Sequence, residues 1–350
     1  MSEPITTVYT TPPTELLTLL NAHLPHSLPL LRRLQFTRFP GGITEHTRIL
    51  FTAAPGDALT STAEQGSIAT EQDEKAALTL LPPEAPVSFT AAYLDLSRGP
   101  ETELWMFCSL ESLPSASGGG RVALDPAGRE ASASAAQAVA LLHEVRRLRD
   151  EYRRGQQQQH AELPRRPVLV GTLGAPLRAA LLAAGCILPY DSDWDKWVFR
   201  LETLPLPALR RVEDAMAREG LRWGRVRRED VPLVLSRTKI PRKERTLVLL
   251  PSTTITLDDE TPIAWCFLGP DGSLSSLHCE EQYRGRGFAK AVAVKIMLDH
   301  LRDYGGDGYC AADVAPDNVQ SQGVCRSLGG KILWRSSWST IDLDRLPEPR

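Results

Sequence analysis

Paired cysteines are missing from this chain. Its six cysteines (Cys108, Cys186, Cys266, Cys279, Cys310 and Cys325) include no CxxC pair and no Cys/His spacing that would hold zinc. Each sits singly in an apolar run, the pattern of buried free thiols in a reducing compartment. No apolar run approaches the ~18–20 residues that a membrane span requires. The opening stretch MSEPITTVYTTPPTE is polar and proline-rich, unlike a secretory leader, and the closing LPEPR carries no lipidation signal. A charge excess of one sign is also lacking: a formal net charge of −3 over 350 residues gives no global attraction to nucleic acid or to an anionic membrane. These absences predict a cytoplasmic protein, possible also in the nucleus, with no metal ion, no nucleic-acid partner and no membrane.

What is present is enough chain for two cores. TELLTLLNAHL puts Leu16, Leu17, Leu20 and Leu24 on one helical face after Thr14. RLQFTRF and HTRILFTA read as strands around the turn PGG, and VSFTAAYLDL and ELWMFCSLES as the next two. Residues 55–75 and 114–134 read as loops. A helix is predicted from Ala135 to Arg154, with Leu141, Val145, Leu148 and Tyr152 as its buried stripe. PVLVGTL, PLRAALLAAG and KWVFRLETL then read as strand, helix and strand. A second unit opens with the helix PLPALRRVEDAMAREGL, followed by the strands TLVLLPST, TPIAWCFLG and LSSLHC, a helix to about Leu301, the strand GYCAADV, the helix NVQSQGVCRSLGG, and KILWRSSWSTIDL as a strand or hairpin. Both halves share the order strand, strand, helix, strand, helix, strand, a weak internal duplication. The boundary is expected near Pro205–Pro207, giving domains 1–205 and 206–350.

The stretch CEEQYRGRGFAKAV, Cys279 to Val292, holds the clearest chemistry. Gly285 and Gly287 leave their backbone N–H groups uncovered directly before a helix, where the dipole is already positive. Such converging amides form an anion nest, and Arg284 and Arg286 add positive charge to it. The expected occupant is a phosphate or pyrophosphate. Neither GxGxxG nor GxxxxGK[ST] fits; Gln282-Tyr283-Arg284-Gly285-Arg286-Gly287 reads Gln-x-x-Gly-x-Gly.

That spacing, between a strand and a helix, resembles the pyrophosphate loop of the GNAT superfamily of acyl-CoA-dependent N-acyltransferases. TPIAWCFLGPDGSLSSLHCEEQYRGRGFAKAV is similar to the glycine N-acyltransferase-like branch of that superfamily, and LLTLLNAHLPHSLPLLRRL to the branch's N-terminal domain. The resemblance implies an α/β (α+β) tandem GNAT-like fold, with a mixed central sheet flanked by helices, a degenerate first half and an acyl-CoA-binding second half. It implies acetyl-CoA or another acyl-CoA as cosubstrate. Pyrophosphate would sit on the amides of Arg284, Gly285, Arg286, Gly287, Phe288 and Ala289, beside Gln282. The backbone of Leu277 and Cys279 would face the pantetheine arm, with Asn318 and Ser321 on the following helix. It also implies a small-molecule amine or amino acid as acceptor.

N-acyl transfer needs a base for the amine and a proton for the departing thiolate. Glu280 and Glu281 precede the loop and are candidates for the base, as is His278, whose ordinary pKa of ~6.5 suits proton transfer. Gln282 stands where the related loop has a glutamate, and Glu281 where it has a proline. Cys325 stands where many superfamily members have a tyrosine acid, and reads either as that acid or as core. Trp265 reads either as acceptor-pocket lining or as core. Residues 210–245 carry 12 Lys/Arg against 6 Asp/Glu, a solvated basic face or an attraction for an acidic acceptor. Loss of base and acid would instead leave an inert acyl-CoA-binding or scaffold protein.

Overall fold

Ile5–Tyr9, alternating within the polar opening, pairs antiparallel with Thr47–Ala53 as an edge strand, β1 beside β2. The computed structural model describes residues 4–54, 59, 88–113, 129–158, 166–238 and 240–348. The regions expected to be loops, 55–75 and 114–134, lie outside these apart from residue 59 and the start of one helix at 129. The chain divides into two units. Met1–Thr37, Ile43–Asp193 and Trp334–Arg350 form the first, and Arg38–Gly42 and Trp194–Leu333 the second.

In the first unit α1 (Thr14–Ala22) and α2 (Leu28–Gln35) precede β2, and β3 (Phe89–Asp95) and β4 (Leu104–Cys108) extend the antiparallel meander. A long helix α3 (Arg129–Gln158) leads to β5 (Val168–Gly174) and α4 (Ala175–Ala183). The strands are buried on both faces, and period two sorts their side chains. Ile49, Phe51, Ala91, Tyr93, Trp105 and Phe107 pack with Leu16, Leu20, Leu31 and Leu34 of α1 and α2. Leu50, Ala92, Leu94, Met106 and Cys108 pack with Ala138, Leu141, Leu142 and Val145 of α3. The stripe predicted for α3 is therefore the core stripe. RLQFTRF is not a strand: α2 runs to Gln35 and a 3-10 turn spans Phe36–Arg38. The deciding residues lie upstream, where Leu30, Leu31 and Leu34 share one helical face.

The second unit contains β6 (Tyr190–Arg200), α5 (Leu206–Arg218), β7 (Arg222–Gly224), α6 (Val231–Arg237), α7 (Glu244–Leu247) and β8 (Ser252–Thr256). The expected strand TLVLLPST begins only at Ser252, because Thr246 and Leu247 close α7. Then come β9 (Pro262–Leu268), β10 (Ser273–Cys279), α8 (Phe288–Tyr304), β11 (Tyr309–Val314) and α9 (Val319–Ser327). The sheet order is β7-β8-β9-β10-β11-β6, antiparallel except for the parallel pair β10 and β11.

The last strand, β12 (Lys331–Ile341), is a single strand that pairs antiparallel with β5. The first unit's sheet is thus β1-β2-β3-β4-β5-β12, with only β4 and β5 parallel. Six strands in the same order and polarity recur in both units, so the duplication read from the element order is present in the sheets. The sixth strands are exchanged along the chain. β6 follows the first half in sequence but completes the second sheet, and β12 follows the second half but completes the first. A single cut near residue 205 therefore does not separate the units.

Candidate active site

Pairing between β10 and β11 stops early. It joins Ser273 to Ala311 and Leu274 to Ala312, after which β10 continues without a partner on that edge. On its other edge the register with β9 shifts between Ser275 and His278, with Ser276 at φ 50°. A bulge at that point bends the strand and opens a cleft beside it.

At the end of β10 the chain turns through Glu281–Tyr283, where Tyr283 N donates to Glu280 O at 2.9 Å and Arg284 N to Glu281 O at 3.2 Å. Gly285 (φ 76°) and Gly287 (φ 86°) then take left-handed conformations, and Gly287 caps α8. The positive φ strains any other residue at position 287, and a Cβ there would also stand tight against Val212 Cγ2, at 3.2 Å. The first amide to return to the helix is Ala291 N, at 2.9 Å from Gly287 O. Between these points the amides of Gly285 through Lys290 donate to no backbone carbonyl among the described residues. Six consecutive N–H groups thus stand open at the positive end of a 17-residue helix. Beside them is a groove of about 440 Å³, lined by Cys279, Tyr283–Gly285 and Gly287–Lys290 on one side and Gln320, Gly323, Val324 and Ser327 of α9 on the other.

Most of the residues predicted for cofactor binding meet here. Arg284, counted among the amide donors, has already donated its N–H to the turn, and its side-chain Nε donates to Cys279 O at 3.2 Å. Its guanidinium is exposed and makes no ion pair among the described residues. Arg286 pairs with Glu219 and lies over the Phe288 ring, 4.6 Å from its centre. Phe288 is buried and Ala289 half-buried, in the first turn of α8. Gln282 is exposed, and Leu277 is half-buried in the unpaired part of β10. Asn318 caps α9 by accepting from Ser321 N at 3.0 Å; neither residue is part of the groove wall.

The four candidates for proton transfer separate. Glu281 is exposed at the loop surface. Glu280 is half-buried and accepts from Arg237 Nε, at the end of α6, at 2.9 Å. Its second oxygen lies 3.7 Å from His278 Nε2, which is closed to solvent and has no hydrogen-bond partner among the described residues. The imidazole stacks on Trp265 of β9, its register partner, with ring centres 4.7 Å apart and planes at 25°. Burial pushes His278 below the ordinary histidine range; Glu280 partly opposes this, and Arg284 and Arg237 add to it. The ring is therefore neutral near pH 7. Cys325 is buried on the inner face of α9, where burial pushes its thiol up to about 12. Cys325 is thus part of the core, and so weakly acidic a thiol is poorly matched to a thiolate whose ordinary pKa is ~8.5. Trp265, 1% exposed, is core as well and serves as the floor under His278.

Residues 3–215 match the family model described as the acyl-CoA N-acyltransferase verG N-terminal domain, and residues 256–339, which span the glycine loop, match that of FR47-like protein. The chain belongs to the verG acyl-CoA N-acyltransferase family, within the GNAT superfamily. No curated protein matches this GNAT chain. Among solved structures it is similar to a Drosophila protein at 13% identity, over 95% of this chain and 96% of that one, with a TM-score of 0.50. It is also similar to a tandem GNAT protein from the clavulanic acid biosynthesis pathway (11% identity, 97% and 99% covered, TM-score 0.48). A third is a GCN5-related N-acetyltransferase from Kribbella flavida (11%, 59% and 76%, TM-score 0.39). At 13% identity the likeness to the Drosophila protein is one of fold alone. The GNAT family carries the general activity, acyl-CoA-dependent N-acyl transfer.

Several groove residues were not picked out from the sequence. Gln320, Gly323, Val324 and Ser327 recur at steps of three, one and three, the face of one helix, and that periodicity was a usable signal. Lys290, three residues past Gly287, follows from counting the first turn of α8. Arg237 and Glu219 carry no such signal, because their partners lie 43 and 67 residues away.

Proposed function

We propose that this GNAT protein transfers an acetyl or longer acyl group from acyl-CoA to the amine of a small molecule or amino acid, using the second unit. The observation that carries the reading is the row of open amides from Gly285 to Lys290 beside a groove large enough for an extended ligand. The pyrophosphate of CoA fits this nest by charge and by donor geometry, and Arg284 and Lys290 supply cations around it. When bound, acyl-CoA supplies the thioester carbonyl that the amine attacks.

Among the side chains, His278 is assigned the base. Glu280 lies beside Nε2 and favours the tautomer that carries its proton there, which leaves the Nδ1 lone pair to accept the proton of the amine. The Glu280 carboxylate then stabilises the imidazolium that forms. Solvent protonates the departing thiolate. Depression of the His278 pKa keeps the base unprotonated at neutral pH, so the acid limb of kcat/KM falls below the ordinary histidine range.

Titration calorimetry with acetyl-CoA and longer acyl-CoAs tests the first half of the proposal, and thiol release against a panel of amines and amino acids the second. Binding is expected for the native chain and not for Gly287→Glu, which forces strain and a negative side chain into the nest. Equal affinity in that variant overturns the cofactor assignment. Binding without release against any amine supports the inert acyl-CoA-binding protein instead. His278→Gln is expected to bind acyl-CoA normally while turnover falls ~10²–10⁴-fold, the usual worth of a general base.

A further inference from the structure

Two contacts of Glu280 remain to be explained together. One carboxylate oxygen is held by Arg237 Nε at 2.9 Å, and the other stops 3.7 Å short of His278 Nε2, beyond hydrogen-bonding distance. Arg237 ends a helix on a separate stretch of chain from β10, so the clamp ties the active-site strand to α6. The charged groups facing the imidazole are Glu280 from its own strand, Arg284 from the glycine loop and Arg237 from α6, while β9 presents the Trp265 ring.

We infer that Arg237 is a positioning residue. By holding the Glu280 carboxylate back from His278 Nε2, it sets how readily the imidazole takes up a proton. With Arg237 in place the carboxylate is committed to a guanidinium and only brushes the ring. With Arg237 removed it is free to close the remaining gap and accept a full hydrogen bond from Nε2–H, which stabilises the imidazolium. The clamp thus keeps the base neutral at working pH while leaving a counter-charge within reach for the protonated state. This role rests on His278 being the base, but the coupling itself is measurable without turnover.

NMR titration of the histidine rings in the full chain, with the His278 signal assigned by its loss in His278→Gln, tests the inference. Arg237→Ala is expected to move the His278 midpoint to higher pH, and Glu280→Gln to lower pH. Arg237 also repels the imidazolium directly, and the double variant separates the two effects. If Arg237 acts through Glu280, its removal shifts the midpoint far less in the Glu280→Gln background than in the native one. Arg237→Lys, which keeps the charge but loses the fork geometry, falls between native and Arg237→Ala. Equal shifts in both backgrounds, or no shift in either, overturn the inference. The acid limb of kcat/KM read in parallel tests the base: if it persists in His278→Gln, the base assignment fails whatever the coupling shows.

Discussion

Glu111 illustrates what one buried carboxyl can do to a fold. It lies in the 3-10 turn after β4, with Oε1 accepting from Cys108 N at 3.1 Å. Its Oε2 occupies the space a Cβ would take on Gly174, 1.6 Å from that position, so any larger residue there would have to displace the carboxyl. Burial pushes this carboxyl up to about 8. Because the folded state holds the proton more tightly than the unfolded chain, the stabilisation is full below the ordinary carboxylate pKa. It declines as pH rises and is lost once pH passes about 8. Glu111→Gln keeps the acceptor and the volume but has no proton to lose. Its unfolding free energy from urea titration is therefore expected to match the native protein near pH ~5 and to exceed it near pH ~9, by an amount on the order of a few kcal/mol. Equal unfolding free energies at both pH values would show that the carboxyl is solvated. From the sequence, Glu111 looked like the end of a strand, because ELWMFCSLES is apolar almost throughout and only the turn at Ser109 takes the carboxylate inward.

At the scale of elements, α9 separates stability from function most cleanly. A Cβ at Gly323 would meet nothing within 4 Å, and this position faces the groove. Replacing a helical glycine by a larger residue removes a cost of about 0.5–1 kcal/mol, so Gly323→Phe should leave the fold as stable as before or slightly more so. The same ring fills the groove, and acyl-CoA affinity is expected to fall ~10-fold or more in calorimetry, roughly the worth of one blocked contact surface. Undiminished affinity would place the ligand elsewhere. The glycine loop, β10 and α8 were all legible, since each depends on residues adjacent in sequence: glycines for positive φ and an apolar face; the capping role of Asn318 was not read there and comes from the structure. Glu280 and His278 were legible as candidates, but their ranking was not. It depends on Arg237 and Trp265, which reach them only through the fold. RLQFTRF shows the converse failure, for its alternation over seven residues was overruled by leucines just upstream that continue a helical face.

For the whole molecule, the exchange of sixth strands decides which fragments can stand alone. Cutting at residue 206 follows the change in sequence character but removes β6 from the second unit. Cys310–Val314 of β11 then lose their antiparallel partners Asp195–Phe199. Trp197 and Phe199, 2% and 1% exposed, leave the core, and the buried pair of Lys196 with Asp313, 2.6 Å apart, is broken. Losing one large aromatic from a core costs ~3–5 kcal/mol, and an uncompensated buried charge costs a similar amount. Together these approach the ~5–15 kcal/mol that stabilises an ordinary domain. A fragment of residues 206–350 is therefore expected to lack a cooperative unfolding transition. A fragment of residues 190–333 keeps β6 and omits most of β12, the strand that pairs with β5, and should unfold cooperatively. Both lack Arg38–Gly42, where Arg38 donates to Tyr304 O at 2.6 Å, so that loss does not distinguish them. Circular dichroism during thermal unfolding of the two fragments gives the comparison. A cooperative transition in 206–350 would mean that β6 is dispensable and that the unit closes its sheet with β12, the strand nearest in sequence. Local pattern does not name these pairings: β6 buries Asp195 to Phe199 in an unbroken run, and β12 buries Ser336, Ser337, Ser339 and Ile341 while Ile332 and Leu333 stay exposed, so neither carries an apolar alternation that points to one sheet.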